Sequence, residues 1–491
     1  MRLVRAGQFL LLLSLAACGQ AAGSGVTPAP SATASTLSSG QTPLSSASAA
    51  APSASAATPD PPPLPPYVPP SERPSAKVVP PKGIRAVEWK KIFDTYGALY
   101  DMDDWLNDIH RKYPSITRIF TLGKTHQGRN VQAILISKNP QDAAKRPAML
   151  LNGAHHGDEP LSAEIVKDAI VRLVEGAESN PAVQRYLSEL SIWCVPLVNP
   201  DGFSQFMTDF GAGRKNGRET RKPNSPVPLS AKGVDLNRNY PFRWGAHREA
   251  GSSKVPERRS YRGPSPASEP EAQGMIALSD REHFVGSISY HIGTVALLAP
   301  YTIDGVLQPK PNEAWLIAEY IAGKLPKINK RAVAVRKNLY TVDGTDQDYH
   351  RFAHGTLALL LESAARSWDS IARRDQTIEQ IRPSWAALFD RYIDGPSVEG
   401  HVVNESGEPV SAKVDVAEVK TFAGEQWHSR CSDGFFGRYL PNFGKVTVRV
   451  STPGSETPIE TSADVTPEKG RAVVKIVVPG APRSTCAPSA P

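Results

Sequence analysis

The chain has 491 residues, more than one compact core accommodates, so its length predicts two or more domains. The formal charge of +7 is spread among mixed charges, with no Lys/Arg block interleaved with aromatics, and this leaves no basis for a nucleic-acid partner. The 45 prolines are unevenly placed and point to a linker.

In chain order, Arg2 and Arg5 precede the apolar run Phe9-Leu10-Leu11-Leu12-Leu13, followed by Leu15-Ala16-Ala17-Cys18. That is a positive n-region, a short h-region and a small-residue cleavage site, too short to span a bilayer. Leu-Ala-Ala-Cys resembles the lipobox of bacterial lipoproteins. The resemblance implies acylation at Cys18 and an exported protein at the outer membrane, cell surface or periplasm, touching the membrane through its lipid alone. From Gly19 to about Gly83 the chain is mostly Ala, Ser, Thr, Pro and Gly. Such a segment cannot bury enough apolar surface to offset its conformational entropy, and it reads as a tether.

A globular pattern begins near Trp89. Met102, Trp105, Leu106 and Ile109 give helical spacing over Asp101–Tyr113. Val131–Ile136 and Ala148–Leu151 read as buried strands, Ser162–Glu175 as a helix and Ile192–Val198 as another strand. Strands alternating with helices predict an α/β layered domain. Thr377–Tyr392 is a last amphipathic segment, which Pro383 either kinks or restarts. After Pro396 the texture becomes β-branched and alternating at 398–404, 412–416, 446–450 and 473–478, which predicts a small all-β sandwich. The expected organisation is a signal at 1–18, a tether at 19–83, an α/β domain at 84–395, a sandwich at 396–480 and a tail at 481–491. Cys431 and Cys486 could pair across the C-terminal module, whereas Cys194, inside an apolar run, reads as a buried small hydrophobe.

The chemistry-bearing residues begin with Asn152-Gly153-Ala154-His155-His156-Gly157-Asp158-Glu159-Pro160, between a strand and a helix. A His and a Glu three apart at such a junction can converge on one ion, since zinc accepts imidazole nitrogen and carboxylate oxygen together. Alone, the pair reads equally as a solvated loop with an acid at a helix N-terminus. Further along come Asn199-Pro200-Asp201-Gly202, Arg214-Lys215-Asn216, Asp235-Leu236-Asn237-Arg238-Asn239 and Ser289-Tyr290-His291. Glu362 then ends the apolar run Thr356–Leu361, an expensive place for a carboxylate unless it is partnered or emerges into solvent.

With these strings in order, residues 95–393 resemble the zinc metallocarboxypeptidases. The resemblance implies a mixed central sheet flanked by helices and one zinc ion per chain, held by His156, Glu159 and His291. His155 is the competing neighbour. Asp235 would orient His156 from behind, and Glu362 would be the general base. Arg214 would polarise the scissile carbonyl, with Arg218 the alternative. Asn237, Arg238, Tyr340 and Gln347 would bind a peptide or protein substrate with a free C-terminus.

His291-Ile292-Gly293, the string Gly344-Thr345-Asp346-Gln347-Asp348-Tyr349 and the trailing sandwich resemble the regulatory (N/E-type) subgroup with its transthyretin-like module. That subgroup places an aspartate where this chain has Thr302, which puts a preference for C-terminal Lys or Arg in doubt; Asp304 could substitute through a local shift. Two other functions stand beside the carboxypeptidase reading: an amidase on peptidoglycan stem peptides, and a non-catalytic binding protein on the same scaffold.

Overall fold

The computed structural model describes residues 101–208, 212–221, 231–306, 310–328, 330–365, 370–422, 424–425, 427–452 and 457–486. They belong to one compact unit. The signal sequence, Cys18 and the tether lie outside the described residues.

Helix α1 (Met102–Lys112) buries Met102, Trp105 and Leu106, the stripe its spacing predicts. The hairpin β1 (Thr117–Lys124) and β2 (Asn130–Ile136) follows, then β3 (Ala148–Gly153), α2 (Pro160–Glu175), α3 (Pro181–Glu189), β4 (Ser191–Val195) and α4 (Pro200–Thr208). The strand expected to reach Val198 stops at Val195. Pro196 has no N–H for the ladder, and Val198 N donates instead to Gly153 O at 3.1 Å. Next come α5 (Pro270–Glu282), β5 (Gly286–Gly293), β6 (Val295–Leu298), α6 (Glu313–Lys324), β7 (Ala334–Arg336), α7 (Asp346–His354) and β8 (Leu357–Ala365). The last amphipathic segment is two helices, α8 (Ile371–Ile381) and α9 (Pro383–Ile393): Pro383 restarts the helix at its N1 position.

The eight strands form one mixed sheet in the order β1-β2-β4-β3-β5-β8-β6-β7. Its centre, β4-β3-β5-β8, is parallel, so these strands are buried on both faces and read as continuous apolar runs. One core cluster joins the sheet to α2, α3, α6, α8 and α9; a second packs α5 and Tyr240 over Leu150, Trp193 and Val195. Among the described residues no helix is long and apolar enough to cross a membrane.

The C-terminal part adds β9 (Ser397–Val403), β10 (Lys413–Val416), β11 (Phe435–Tyr439), β12 (Gly444–Ser451), β13 (Ile459–Val465) and β14 (Arg471–Val477). They form two three-stranded sheets, β10-β12-β13 and β11-β9-β14, around a core of Val398, Val414, Trp427, Val448 and Ile476. Sequence reading did not single out β11 or β13. The first carries Gly437 and Arg438 between its aromatics, and the second alternates around mostly exposed polar residues. Cys431 and Cys486 are disulfide-bonded, and Cys194 is buried on β4.

Candidate metal centre and substrate pocket

The site is built at the carboxyl ends of three adjacent parallel strands, where open α/β sheets place their ligands. Chain leaving β3 turns at Ala154 (φ 54°) and presents His155 and His156. Glu159 then stands at the N-cap of α2, with Pro160 at N1. Ser162 Oγ staples this turn, accepting from Ala154 N at 2.9 Å and donating to Glu159 O at 2.5 Å. Strand β5 carries His291 and β8 carries Glu362, and the two are direct partners in the ladder.

Ligand-type atoms of His156, Glu159 and His291 all lie within 4.8 Å of one another, and all three residues are buried. His156 Nδ1 is 2.9 Å from Glu159 Oε1, and His291 Nδ1 is 3.0 Å from Glu159 Oε2. His156 Nε2 lies 3.2 Å from Asp235 Oδ1. Both ring nitrogens thus face carboxylate oxygens, Nδ1 on the side of the donor group and Nε2 on the side of Asp235; with an ion held at the centre, Nδ1 would be the ligand and Nε2–H would donate to Asp235. Two imidazole nitrogens and a carboxylate, converging with a fourth side open, suit zinc in a catalytic rather than a structural site. Burial alone would raise the Glu159 carboxyl; the two histidines beside it hold it well below the usual range. The Asp235 carboxyl is likewise held low against burial, first by Arg214.

Arg214 donates Nε to Asp235 Oδ2 at 3.0 Å and brings Nη1 to 3.2 Å from His156 Nδ1. Arg218, the alternative, donates to Glu269 Oε1 at 2.9 Å instead. His155 is separate from the donor group: its Nε2 lies 2.9 Å from Tyr240 Oη and 3.8 Å from Asp346 Oδ2. Burial, and then the like charge of Glu159, push the Glu362 carboxyl up, and Glu362 Oε2 has no hydrogen-bond partner.

His156, His291 and Glu362 open onto a cleft that Asn237, Arg238, Thr302, Asn338, Tyr340, Thr345 and Gln347 also line, with Leu298, Val342 and Leu360 as apolar wall. Asn237 and Arg238 sit on a short 3-10 turn, held by Asp346 N donating to Asn237 Oδ1 at 2.9 Å. Tyr340 is 58% exposed and reaches Arg238 Nη2 through its hydroxyl at 3.4 Å. Asp304 does not substitute for Thr302: its carboxylate accepts from Asn338 and Thr341, and it does not line the cavity.

Two supports escaped the sequence reading. Asp348 carries Thr302, and Asn338 bridges Thr302 O and Asp304; neither position has a spacing that signals it. The Asn199-Pro200-Asp201-Gly202 string is framework. Asn199 Nδ2 donates to His155 O at 3.1 Å, and Asp201 accepts from Thr125 and Gln127 in the β1–β2 turn.

A sequence model of the family described as zinc carboxypeptidase matches residues 102–387, more than half of the chain. The chain belongs to this family. Among its relatives, carboxypeptidase B of Helicoverpa zea is 27% identical over 310 residues, covering 60% of this chain and 70% of that protein. A zinc carboxypeptidase of Saccharothrix mutabilis subsp. capreolus is 32% identical over 141 residues, 28% of this chain and 31% of that protein. Metallocarboxypeptidase A of Trichophyton tonsurans is 27% identical and matched over 60% of its length, so for these last two the shared part is under two thirds of the relative. Two solved structures share the fold: carboxypeptidase A from Helicoverpa armigera (TM-score 0.51, 23% identity, 60% of this chain and 72% of that one), and thrombin activatable fibrinolysis inhibitor (TM-score 0.54, 19% identity, 61% and 74%). As a zinc carboxypeptidase the protein is a metal-dependent hydrolase, and His156, Glu159 and His291 form a group among its described residues that could hold the zinc.

Proposed function

We propose that the protein removes the C-terminal residue from extracytoplasmic peptides or proteins, with Glu362 as general base and Arg214, Asn237, Arg238 and Tyr340 as the groups that hold the substrate. The carrying observation is that one cavity joins His156, His291 and Glu362 to Asn237 and Arg238, so a carboxylate-binding pair lies within reach of the hydrolytic groups. Zinc, when bound, supplies a Lewis acid that acidifies water and polarises the scissile carbonyl. Glu362 takes a proton from the attacking water and passes it to the leaving amine. The Arg238 guanidinium presents a planar fork that matches the substrate's α-carboxylate, and Tyr340 closes over it from the open side. Arg214, already charged and oriented by Asp235, faces the oxygen on which negative charge develops.

The Leu15-Ala16-Ala17-Cys18 string supports export and a lipid anchor. The Gly344–Tyr349 string and the two small C-terminal sheets favour the regulatory subgroup and its transthyretin-like module.

The test is to incubate the protein with peptides carrying a free or amidated C-terminus, with and without a zinc chelator, beside Glu362→Gln. Trimming confined to free C-termini and abolished by chelation is expected. Glu362→Gln is expected to keep its zinc while kcat falls roughly 10²–10⁴-fold. Untrimmed peptides throughout, or chelator-insensitive trimming, would contradict the reading.

A further inference from the structure

At the floor of the cavity, three side chains form a hydrogen-bonded series in which every donor can be assigned. Asp348 accepts Thr302 N at 2.7 Å and Ile303 N at 2.9 Å, and Thr302 Oγ1 lies 2.9 Å from Asp348 Oδ2. Burial pushes the Asp348 carboxyl up to about 6, against the pull of these backbone donors, so at neutral pH it is ionised, with no proton to give, and the threonine hydroxyl donates to it. Thr302 Oγ1 is left with lone pairs, and these take Gln347 Nε2 at 3.0 Å. The Gln347 amide is thereby held in one of its two orientations. Its Oε1 is buried without a partner, and so is Thr345 Oγ1. Asn338 spends its amide on Thr302 O and Asp304 Oδ1. Gln347 therefore offers the cavity an oxygen acceptor with no proton of its own, beside the Thr345 hydroxyl, which can donate or accept.

Charge in and around the cavity narrows the choice. Both Asp348 oxygens are occupied, Asp304 is engaged outside the lining, and Arg238 lies within the lining. Glu362 is the one carboxylate among the lining residues, and it stands beside His291 in the ladder.

We propose that this pocket selects a C-terminal residue with an uncharged side-chain N–H donor, the carboxamide of Gln or Asn, because Thr302 fixes Gln347 as an acceptor. The inference rests on the carboxypeptidase reading. The methylenes of such a residue pack against Leu298, Val342 and Leu360, and its amide supplies the proton that Gln347 Oε1 lacks. An ammonium or guanidinium would be desolvated among neutral oxygens, with the one lining carboxylate, Glu362, held at the hydrolytic groups, at a cost its hydrogen bonds do not repay. A carboxylate would set its oxygens against Gln347 Oε1, which it has no proton to pair. A leucine would leave Gln347 Oε1 buried and unpaired.

The experiment compares kcat/KM on peptides differing only in the last residue (Gln, Asn, Leu, Lys, Arg, Glu), using the full zinc-loaded protein. Gln or Asn is expected to lead each of the others by at least ~10-fold, the scale on which sites built for a hydrogen bond discriminate. Thr302→Val keeps the shape and removes the hydroxyl. It is expected to shrink the Gln-over-Leu ratio to within ~3-fold, chiefly through KM. Gln347→Glu replaces the neutral acceptor with a charge and is expected to move the preference to Lys and Arg; it tests the same idea if Thr302→Val does not fold. A wild-type preference for Lys, Arg or Leu, or a Gln advantage untouched in folded Thr302→Val, overturns the inference while leaving the carboxypeptidase reading intact. Absence of trimming on every peptide overturns that reading, and this inference with it.

Discussion

At Gly293, two residues beyond His291, a Cβ would stand 3.1 Å from Glu362 Oε2. The carboxylate would have to give by a few tenths of an ångström, and it is the group whose position sets the proton transfer. Gly293→Ala is therefore expected to lower kcat about tenfold, since small misplacements of a reacting group are costly, with zinc content and thermal midpoint close to wild type. Kinetics and metal analysis on the same preparation check this; a lost metal would place the effect at His291 instead. At this scale much of the candidate site was legible. His156, Glu159 and Asp235 are polar side chains at buried positions, and the structure brings them together. Thr302 was legible only as a departure. The hydrogen bonds that give it meaning come from Asp348 on another element, and no spacing encodes a bond's direction.

At the scale of elements, α5 shows how a buried acid shapes pH dependence. Glu271, in its first turn, is buried, and its carboxyl is pushed up to about 8 by burial, with help from the charge of Glu269. Its Oε2 accepts from Asn216 at 3.1 Å, while Oε1 has no partner. A carboxyl whose folded pKa lies above its unfolded value of 4.5 stabilises the protein at low pH, and that contribution is lost as pH rises through about 8. Glu271→Gln is expected to flatten this fall, so that the variant overtakes wild type in thermal midpoint above pH ~8. Equal slopes for the two proteins between pH 5 and pH 9 would refute it. Several elements were readable, because apolar periodicity and proline placement act locally: α1, α2, β2, β3 and the break at Pro383 follow from neighbours in sequence, whereas β1, β6, β7 and the helices α3–α7 were not singled out. β11 and β13 were not readable, since their place in a sheet depends on partners distant in the chain.

On the scale of the whole molecule, the C-terminal sheets are joined to the α/β part by buried polar contacts as well as by apolar packing. Trp427 Nε1 donates to Arg351 O at 3.1 Å, Arg430 Nη1 to Glu282 O at 3.0 Å, and Tyr439 Oη to Leu388 O at 2.9 Å. Glu425 accepts from the Tyr301 hydroxyl, one residue before Thr302, so the C-terminal part reaches the support of the substrate pocket. Gly355 ends α7 at φ 71°, and a Cβ there would lie 2.5 Å from the Trp427 ring. Gly355→Ala should combine left-handed strain with a rigid clash and cost at least ~1–3 kcal/mol, read as one cooperative transition moved to lower temperature. A separate early transition would show instead that the two parts unfold independently. By itself the sequence determined the α/β class and, through motif strings that resemble the zinc carboxypeptidases, the family and the residues that meet at its centre, because these depend on local periodicity and on side chains whose chemistry is strict. Tertiary structure alone decided which arginine faces the metal donors, that Asp304 stays out of the pocket, and which way the Gln347 amide points. Each of these is a matter of directional contact between segments far apart in the chain, and composition and spacing carry no direction.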